Sequence, residues 1–308
     1  MRVFVTGATG HIGSALVPEL LEVGHEVVGL ARSETSAIAL KALGVQAHLG
    51  DLDDLDGLRD AASAADGVIH LAFKHEEMRS GNFPVAIQAD LRAIQAFGEA
   101  LEGSGKPLVI SSGGNGLISQ PGNDSGSATG RPGTEQDIAT GGRADAENTV
   151  IGFAERGVRS AAVRNPIIAH STRDHHGFVQ TLIGIARAKG VSAYVGEGAN
   201  RWPAVHVLDQ AHLYRLALEN APAGSRLHAV GEEGIPFRLI AETIGRHLNI
   251  PTTSIPTGEA QAHFGFAARF VPLDLATSSA LTRQLLGWEP VHHGLVAELD
   301  QGHYFTTE

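Results

Sequence analysis

The 308-residue chain contains no cysteine, and that absence excludes a disulfide framework, a thiolate nucleophile and cysteine-rich zinc sites together. Redox chemistry therefore needs a borrowed cofactor. No run of eighteen or more apolar residues occurs, so no membrane span is expected. The first residues lead directly into a strand-like segment, which argues against a cleavable signal and for a cytoplasmic protein. Clusters of Lys and Arg are missing too. With 23 basic against 34 acidic residues the formal net charge is -11, which disfavours nucleic acid and anionic membrane and leaves small molecules or proteins as partners. Tyrosine is scarce: the first of three is Tyr194, and no lysine lies between Lys106 and Lys189.

What is present is an alternation. At 43% hydrophobic content the chain is long enough for one large α/β domain or a domain with a small lobe. Short β-branched runs alternate with helical patterns: RVFVTG, an apolar-periodic stretch from Ile12 to Val23, HEVVGLA, a helix around Ala37 to Leu43, then VQAHLGD. That order predicts a doubly wound parallel sheet of the α/β class. Further strand candidates are residues 67–73, 106–112, 158–166, 204–209 and 225–231. Residues 113–136 are rich in Gly, Ser and Pro and too long for an idle turn, so they read as a mobile loop or lid. ATGGRADAEN, residues 139–148, reads as the opening turns of a helix weakened by its paired glycine.

GATGHIG carries Gly7, Gly10 and Gly13 at a strand-to-helix turn, with Thr9, His11 and Ile12 between and beside them. The glycines suit a tight turn, close backbone approach to a pyrophosphate and close helix-on-strand packing, and the helix N-terminus favours an anion. The spacing departs from GxGxxG by one residue, and an ordinary flexible turn is the competing reading; the flanking strand and helix favour the dinucleotide. Arg32, followed by Ser33, lies nineteen residues past Gly13, where an acidic residue usually holds the ribose of NAD. An arginine there suits a 2′-phosphate, so NADP(H) is expected over NAD(H), with Glu34 a mild counterargument. Asp51 and Leu52 after the third strand, and Leu71 and Ala72 after the fourth, fall at the cofactor side of the sheet.

These residues resemble the short-chain dehydrogenases/reductases in their extended or atypical form, which includes the nucleotide-sugar epimerases. The matching stretches are TGATGHIG, GDL at 50–52, HLA at 70–72, VISS at 109–112, RNP at 164–166 and WPAVHVLDQA at 202–211, spread over essentially the whole chain. The resemblance implies a Rossmann NAD(P)-binding domain over residues 1–165 and mainly a substrate lobe over 166–308, with 202–220 returning to the first domain. It implies a nicotinamide near Ala72, Ser112, Asn165, Pro166 and Ile167, with Ser111 among the cofactor-binding residues. The family's helix after the fifth strand usually carries Tyr-x-x-x-Lys followed four residues later by Glu; anchoring on Glu147 puts Arg143 in the lysine slot and Ala139 in the tyrosine slot. The usual proton donor is then absent, and Arg143, always charged, cannot shuttle protons. The resemblance also makes Ser112 the serine that orients a substrate oxygen. It places Asp90 where an asparagine is usual, either tuned as a proton carrier or paired with Arg92 or Arg143. Family members commonly dimerise through the helices flanking the fifth strand, and the spacing of Ile87, Leu91, Ile94 and Leu101 fits a homodimer as well as burial against the chain's own sheet.

Sixteen histidines invite a metal reading, but there is no HExxH, and the pairs His175-His176 and His292-His293 are adjacent and therefore divergent, so no metal site is expected. His75, His175 and His176 fall where the family's substrate pocket opens and are candidates to replace the missing tyrosine. Arg201 is the only cation in the segment 196–206, which speaks weakly for a nucleotide sugar, while Trp202, Phe178 and Phe264 suggest an apolar pocket. The expected function is an NADP(H)-dependent oxidoreductase acting on a small carbonyl or alcohol. The alternatives are an epimerase or dehydratase without net redox change and a non-catalytic NADP(H) sensor.

Overall fold

The computed structural model describes residues 1–113 and 130–306. Residues 114–129, the bulk of the expected loop or lid, lie outside the described residues. Along the chain run β1 (Arg2–Thr6), α1 (His11–Glu22), β2 (Glu26–Ala31), α2 (Glu34–Ala42), β3 (Gln46–Leu49), α3 (Leu55–Ser63), β4 (Gly67–His70), α4 (His75–Arg79), α5 (Phe83–Leu101) and β5 (Pro107–Gly113). There follow α6 (Arg143–Gly152), β6 (Arg159–Asn165), β7 (Ile168–His170), α7 (Phe178–Lys189), β8 (Ser192–Val195), β9 (Arg201–His206), α8 (Val207–Asn220) and β10 (Ser225–His228). The last elements are β11 (Glu232–Pro236), α9 (Phe237–Leu248), β12 (Thr252–Ile255), α10 (Ala260–Phe264), α11 (Ala280–Leu286) and α12 (Leu295–Asp300).

Seven parallel strands form the main sheet in the order β3-β2-β1-β4-β5-β6-β10. The order reverses between β1 and β4, and at such a switch point a crevice opens outside the carboxyl ends of the strands. Both faces are apolar because helices cover both, as a parallel sheet requires. Val3 and Val5 point to one core with α1, α8 and Trp288, while Phe4 between them points to the other with α3, α5 and α6. In β5 the same alternation sends Val109 to the first core and Leu108 and Ile110 to the second.

A second core lies around β7, β9 and β11, which form a three-stranded sheet, and around the β8-β12 pair. Trp202 is its centre, fully buried, with its ring 4.8 Å from Phe237 and 5.7 Å from Phe178. A side chain of that kind stabilises the lobe by about 1.5–3 kcal/mol through removal from water. The expected apolar pocket of Trp202, Phe178 and Phe264 is thus packed interior. The chain re-enters the main layer through α8, which packs on α1, and through β10.

Two local expectations are corrected. Residues 204–209 are not one strand: β9 stops at His206, whose ring accepts the Leu208 N–H and caps α8. Residues 139–148 do not all open a helix, because Gly141 and Gly142 have φ of +84° and +59°, and α6 starts only at Arg143. On α5, Ile94 and Leu101 are fully buried in the chain's own core, and Ile87 and Leu91 are half-buried. No helix among the described residues is long and apolar enough to cross a membrane.

Candidate cofactor and active site

The glycine turn between β1 and α1 is built for something to lie against it. Gly7 has φ of +70°, and a Cβ there would sit 2.8 Å from the Ala72 nitrogen. A Cβ on Gly13 would sit 2.2 Å from the Gly7 carbonyl oxygen, so only hydrogen allows α1 to pack on its own turn. The Gly10 N–H closes the turn on the Gly7 carbonyl at 2.9 Å, and no side chain caps the start of α1. Its first N–H groups are therefore open to an anion. Thr9 is exposed, and His11 and Ile12 are half-buried at the rim.

Beneath the turn runs a buried chain of polar groups. The Ala72 N–H donates to Thr6 Oγ1 (3.2 Å), Thr6 Oγ1 lies 2.6 Å from His70 Nδ1, and His70 Nε2 lies 3.1 Å from Asp90 Oδ1. Asp90 is 2% exposed. It pairs with neither Arg92 nor Arg143, and its burial below the turn takes it out of the set of groups that could carry a proton to a substrate. It braces the floor of the turn instead.

At the adenosine end, Arg32 follows β2 with its side chain 68% exposed and, among the described residues, only a 4.0 Å contact to the exposed Glu76. Such a pair contributes little, so the guanidinium is free to turn toward a phosphate. Ser33 is committed elsewhere: its hydroxyl accepts from the Ser36 N–H and caps α2. Asp51 is exposed and accepts the Asp53 N–H at 2.7 Å, while Leu52 is buried beside it.

At the opposite end Ser111, Arg143 and Asn165 converge over the carboxyl edges of β5 and β6. Asn165 Nδ2 donates to Ser111 Oγ (2.7 Å), and its Oδ1 accepts from Gln210 Nε2 (2.7 Å) and from the Tyr214 hydroxyl (3.1 Å). The Ser111 hydroxyl, half-buried, is thereby held between Asn165 and the Tyr214 hydroxyl, with which it also shares a hydrogen bond. Arg143 donates from Nη2 to the Ser111 carbonyl (3.2 Å) and lies 4.1 Å over the Phe73 ring. Its Nε is buried without a hydrogen-bond partner among the described residues. Pro166 and Ile167 are half-buried beside this group, as are Leu71 and Ala72. His75, at the start of α4, lies with its ring 5.3 Å from Phe73.

Ser112 is not the serine of this group. Strand alternation turns it to the other face, where it is 3% exposed and donates to Glu147 Oε2 at 3.0 Å. Ala139 does not stand one helical turn before Arg143, since α6 begins after it; it is buried, and its carbonyl accepts from Asn148 Nδ2. Tyr214 does not fill the tyrosine role either, because its complete burial pushes the phenol up to about 12. Arg201 is held by Asp274 through Nε (3.0 Å) and Nη2 (2.7 Å), which removes the cation counted toward a sugar diphosphate.

The profile of the NAD dependent epimerase/dehydratase family matches residues 3–140. An uncharacterized protein of Schizosaccharomyces pombe is 46% identical over 99% of this chain and 100% of its own length. The chain belongs to the NAD dependent epimerase/dehydratase family. A ketoreductase of Stigmatella aurantiaca acting on 4-hydroxy-2-methyl-3-oxo-4-farnesyl-3,4-dihydroquinoline-1-oxide is 26% identical over 94% of this chain and 87% of its own. The fold is shared with the dTDP-glucose 4,6-dehydratase of Streptomyces venezuelae solved with NAD bound, at TM-score 0.76, 18% identity and 97% and 96% coverage of this and that chain.

This family member carries a histidine-rich cluster that sequence spacing did not reveal. His11 Nε2 lies 2.8 Å from Ser171 Oγ, which joins the dinucleotide turn to the loop after β7. Burial, together with the charges of His170 and His175 and against the pull of Asp174, holds His11 below the ordinary imidazole value. His175 and His176 are exposed on that same loop. Deeper in, Glu298 of α12 is 1% exposed and has four histidines around its carboxylate: His293 Nε2 at 2.5 Å, His303 Nε2 at 3.2 Å, His170 Nδ1 at 3.4 Å and His206 Nε2 at 3.6 Å. His292 diverges from His293, as adjacent residues do, and binds Asp209 at 2.8 Å. Ligand atoms of His206, His293 and Glu298 all lie within 4.8 Å of one another, a grouping outside the adjacent histidine pairs that the spacing singled out. Local spacing gave no sign of it because its members come from β9, the segment before α12, and α12.

Proposed function

We propose that the protein is an NADP(H)-dependent oxidoreductase of the atypical short-chain type that reduces a small carbonyl or oxidises the matching alcohol without a Tyr-x-x-x-Lys dyad. The observation that carries this reading is the convergence of the Ser111 hydroxyl and the Arg143 guanidinium beside the glycine turn. A bound nicotinamide supplies or accepts the hydride. The chain's own part is electrostatic: Ser111 donates to the substrate oxygen, and Arg143 stabilises negative charge on it. Arg143 cannot give up a proton, so the proton that completes the alcohol comes from water, from His75 or His175 at the rim, or from an acidic group on the substrate. The ketoreductase relative supports a carbonyl as substrate. The loss of the Arg201 cation to Asp274 weighs against a sugar diphosphate. Reduced-cofactor absorbance, followed with NADPH-loaded protein across a carbonyl panel, tests the reading; oxidation of NADPH by no member of the panel refutes it in favour of a cofactor sensor.

The preference for NADP(H) rests on Arg32. Arg32→Asp should weaken NADPH binding by about 1.5–3 kcal/mol, the worth of a hydrogen bond to a charged group, and spare NADH. Parallel titrations decide it, and an equal loss for both cofactors would make Arg32 a loop residue only. The expected partner besides substrate is a second copy of the chain, seated on the half-buried Ile87 and Leu91 of α5. Light scattering at micromolar concentration should give the mass of a dimer, and a monomer mass discards this partner.

A further inference from the structure

We propose that His206, His293 and Glu298 form a binding site for a divalent transition metal of the zinc class, with His170 and His303 flanking it. The site is independent of the reductase reading.

Charge balance is the first argument. Glu298 is a buried carboxylate whose ionic partners among the described residues are all histidines. A buried anion needs a compensating charge, and no lysine or arginine among the described residues provides one.

Geometry is the second. A tetrahedral ion with ligands at about 2.0–2.2 Å sets neighbouring ligand atoms roughly 3.3–3.6 Å apart. Among the three proposed ligands, His206 Nε2 stands 3.6 Å from Glu298 Oε2, at ligand-edge spacing and beyond hydrogen-bond reach, and the three ligand atoms all lie within 4.8 Å of one another. Both ring nitrogens of His303 are buried with no hydrogen bond. His293 Nε2 faces a carboxylate oxygen at 2.5 Å and the Gln301 amide nitrogen at 3.1 Å, and a single ring nitrogen cannot donate to one and accept from the other. A cation on that lone pair would open the His293 to Glu298 contact to ligand-edge spacing and displace the Gln301 amide from Nε2. The metal-bound tautomer of His206 carries its proton on Nδ1 and gives up the 3.3 Å contact from Leu208 N–H.

Imidazole and carboxylate together are a borderline donor set that suits zinc, and three protein ligands leave a position for water. The ion would tie the C-terminal segment to β9 and β7, one residue from the Ser171 that touches His11.

The test is chelator-stripped, untagged, full-length protein titrated with Co²⁺ and then with Zn²⁺. The expected result is a set of visible Co²⁺ bands typical of tetrahedral coordination, chased by Zn²⁺. His293→Ala and Glu298→Gln should each weaken Zn²⁺ binding by at least about tenfold in calorimetry, since even outer-shell losses weaken metal sites that much. Circular dichroism checks the fold; should Glu298→Gln fail to fold, His293→Ala carries the test, because its ring is 37% exposed. Absence of bands in folded wild type means that an imidazolium–carboxylate pair balances Glu298, and the proposal falls. It falls equally if binding is unchanged in the variants, because the ion then sits elsewhere.

Discussion

Replacing Arg143 by alanine is expected to lower carbonyl turnover about 10²–10³-fold, the usual loss when one charge-stabilising donor is removed from a developing oxyanion. The side chain is well placed for that role. It is held from two sides, by the Ser111 carbonyl at 3.2 Å and by the Phe73 ring at 4.1 Å, which leaves the rest of the guanidinium fork for a ligand. Its Nε is buried with no hydrogen-bond partner among the described residues. Arg143 is also the first residue of α6 and follows a glycine, so its loss removes no helix cap and little packing. The effect should therefore fall on kcat, with NADPH affinity close to that of the wild type, as expected for an interaction made mainly in the transition state. Arg143→Lys should recover part of the loss, because the charge remains while the planar stack on Phe73 and the fork do not. Steady-state kinetics with a substrate found in the carbonyl panel measure both. A loss confined to KM, or equal turnover in all three proteins, would make Arg143 a structural residue.

A tyrosine at position 139 would not recreate the family's Tyr-x-x-x-Lys dyad. The sequence placed Ala139 and Arg143 one helical turn apart, but two glycines with positive φ separate them and the helix starts after the second. Gly141 and Gly142 were visible in the sequence; what was not visible was that both adopt a conformation that side chains rarely share. A tyrosine at the buried Ala139 would meet packed neighbours rather than the cleft.

The first half of the chain was legible because its signals are local. The inner strands β1, β2, β4 and β5 are short, largely apolar runs bounded by turn residues, and the glycine turn lies between a strand and a helix that the pattern marks. The small strands β7, β8, β11 and β12 are three to five residues long and carry no such signal. Ser111 and Ser112 show a different limit. Both faces of a parallel sheet are buried, so no polar alternation says which of two adjacent serines meets the cleft; only the partners, Asn165 for one and Glu147 for the other, decide it. The cluster around Glu298 was illegible for a third reason: His170 and Glu298 are 128 residues apart, and only the fold brings them together.

Glu147→Ala is expected to destabilise the protein by about 3–5 kcal/mol, the cost of breaking a buried ion pair and leaving the partner charge behind. Glu147 and Arg164 are 4% and 3% exposed. Arg164 donates to both carboxylate oxygens, from Nε at 2.9 Å and from Nη2 at 2.6 Å, and Arg226 Nε and the Ser112 hydroxyl add bonds of 2.8 and 3.0 Å. One carboxylate thus fastens α6 to β5, β6 and β10. Arg164 also reaches the Asp137 carbonyl at 2.8 Å, which extends the tie to the segment that leads into Arg143. Burial pushes the Glu147 carboxyl up, but the hydrogen bond and charge of Arg164, with Ser112 and Arg226, outweigh it and hold the group below its ordinary value. A carboxyl depressed in the folded state contributes stability that is complete above its unfolded value and is lost as pH falls through the folded one. Denaturant midpoints of wild type should therefore fall on acidification below the ordinary glutamate range of about 4.3, and the gap between wild type and Glu147→Ala should narrow with them. Glu147→Leu combined with Arg164→Met separates the pair from its packing. Removal of Glu147 together with Arg164 should restore part of the stability lost in the single variant, since a buried pair often does little better than apolar residues of similar volume and the remaining Arg226 keeps its bond to Asn148 Oδ1 at 2.9 Å. A double variant no more stable than Glu147→Ala would show that the cost comes from lost shape and hydrogen bonds rather than from a stranded guanidinium.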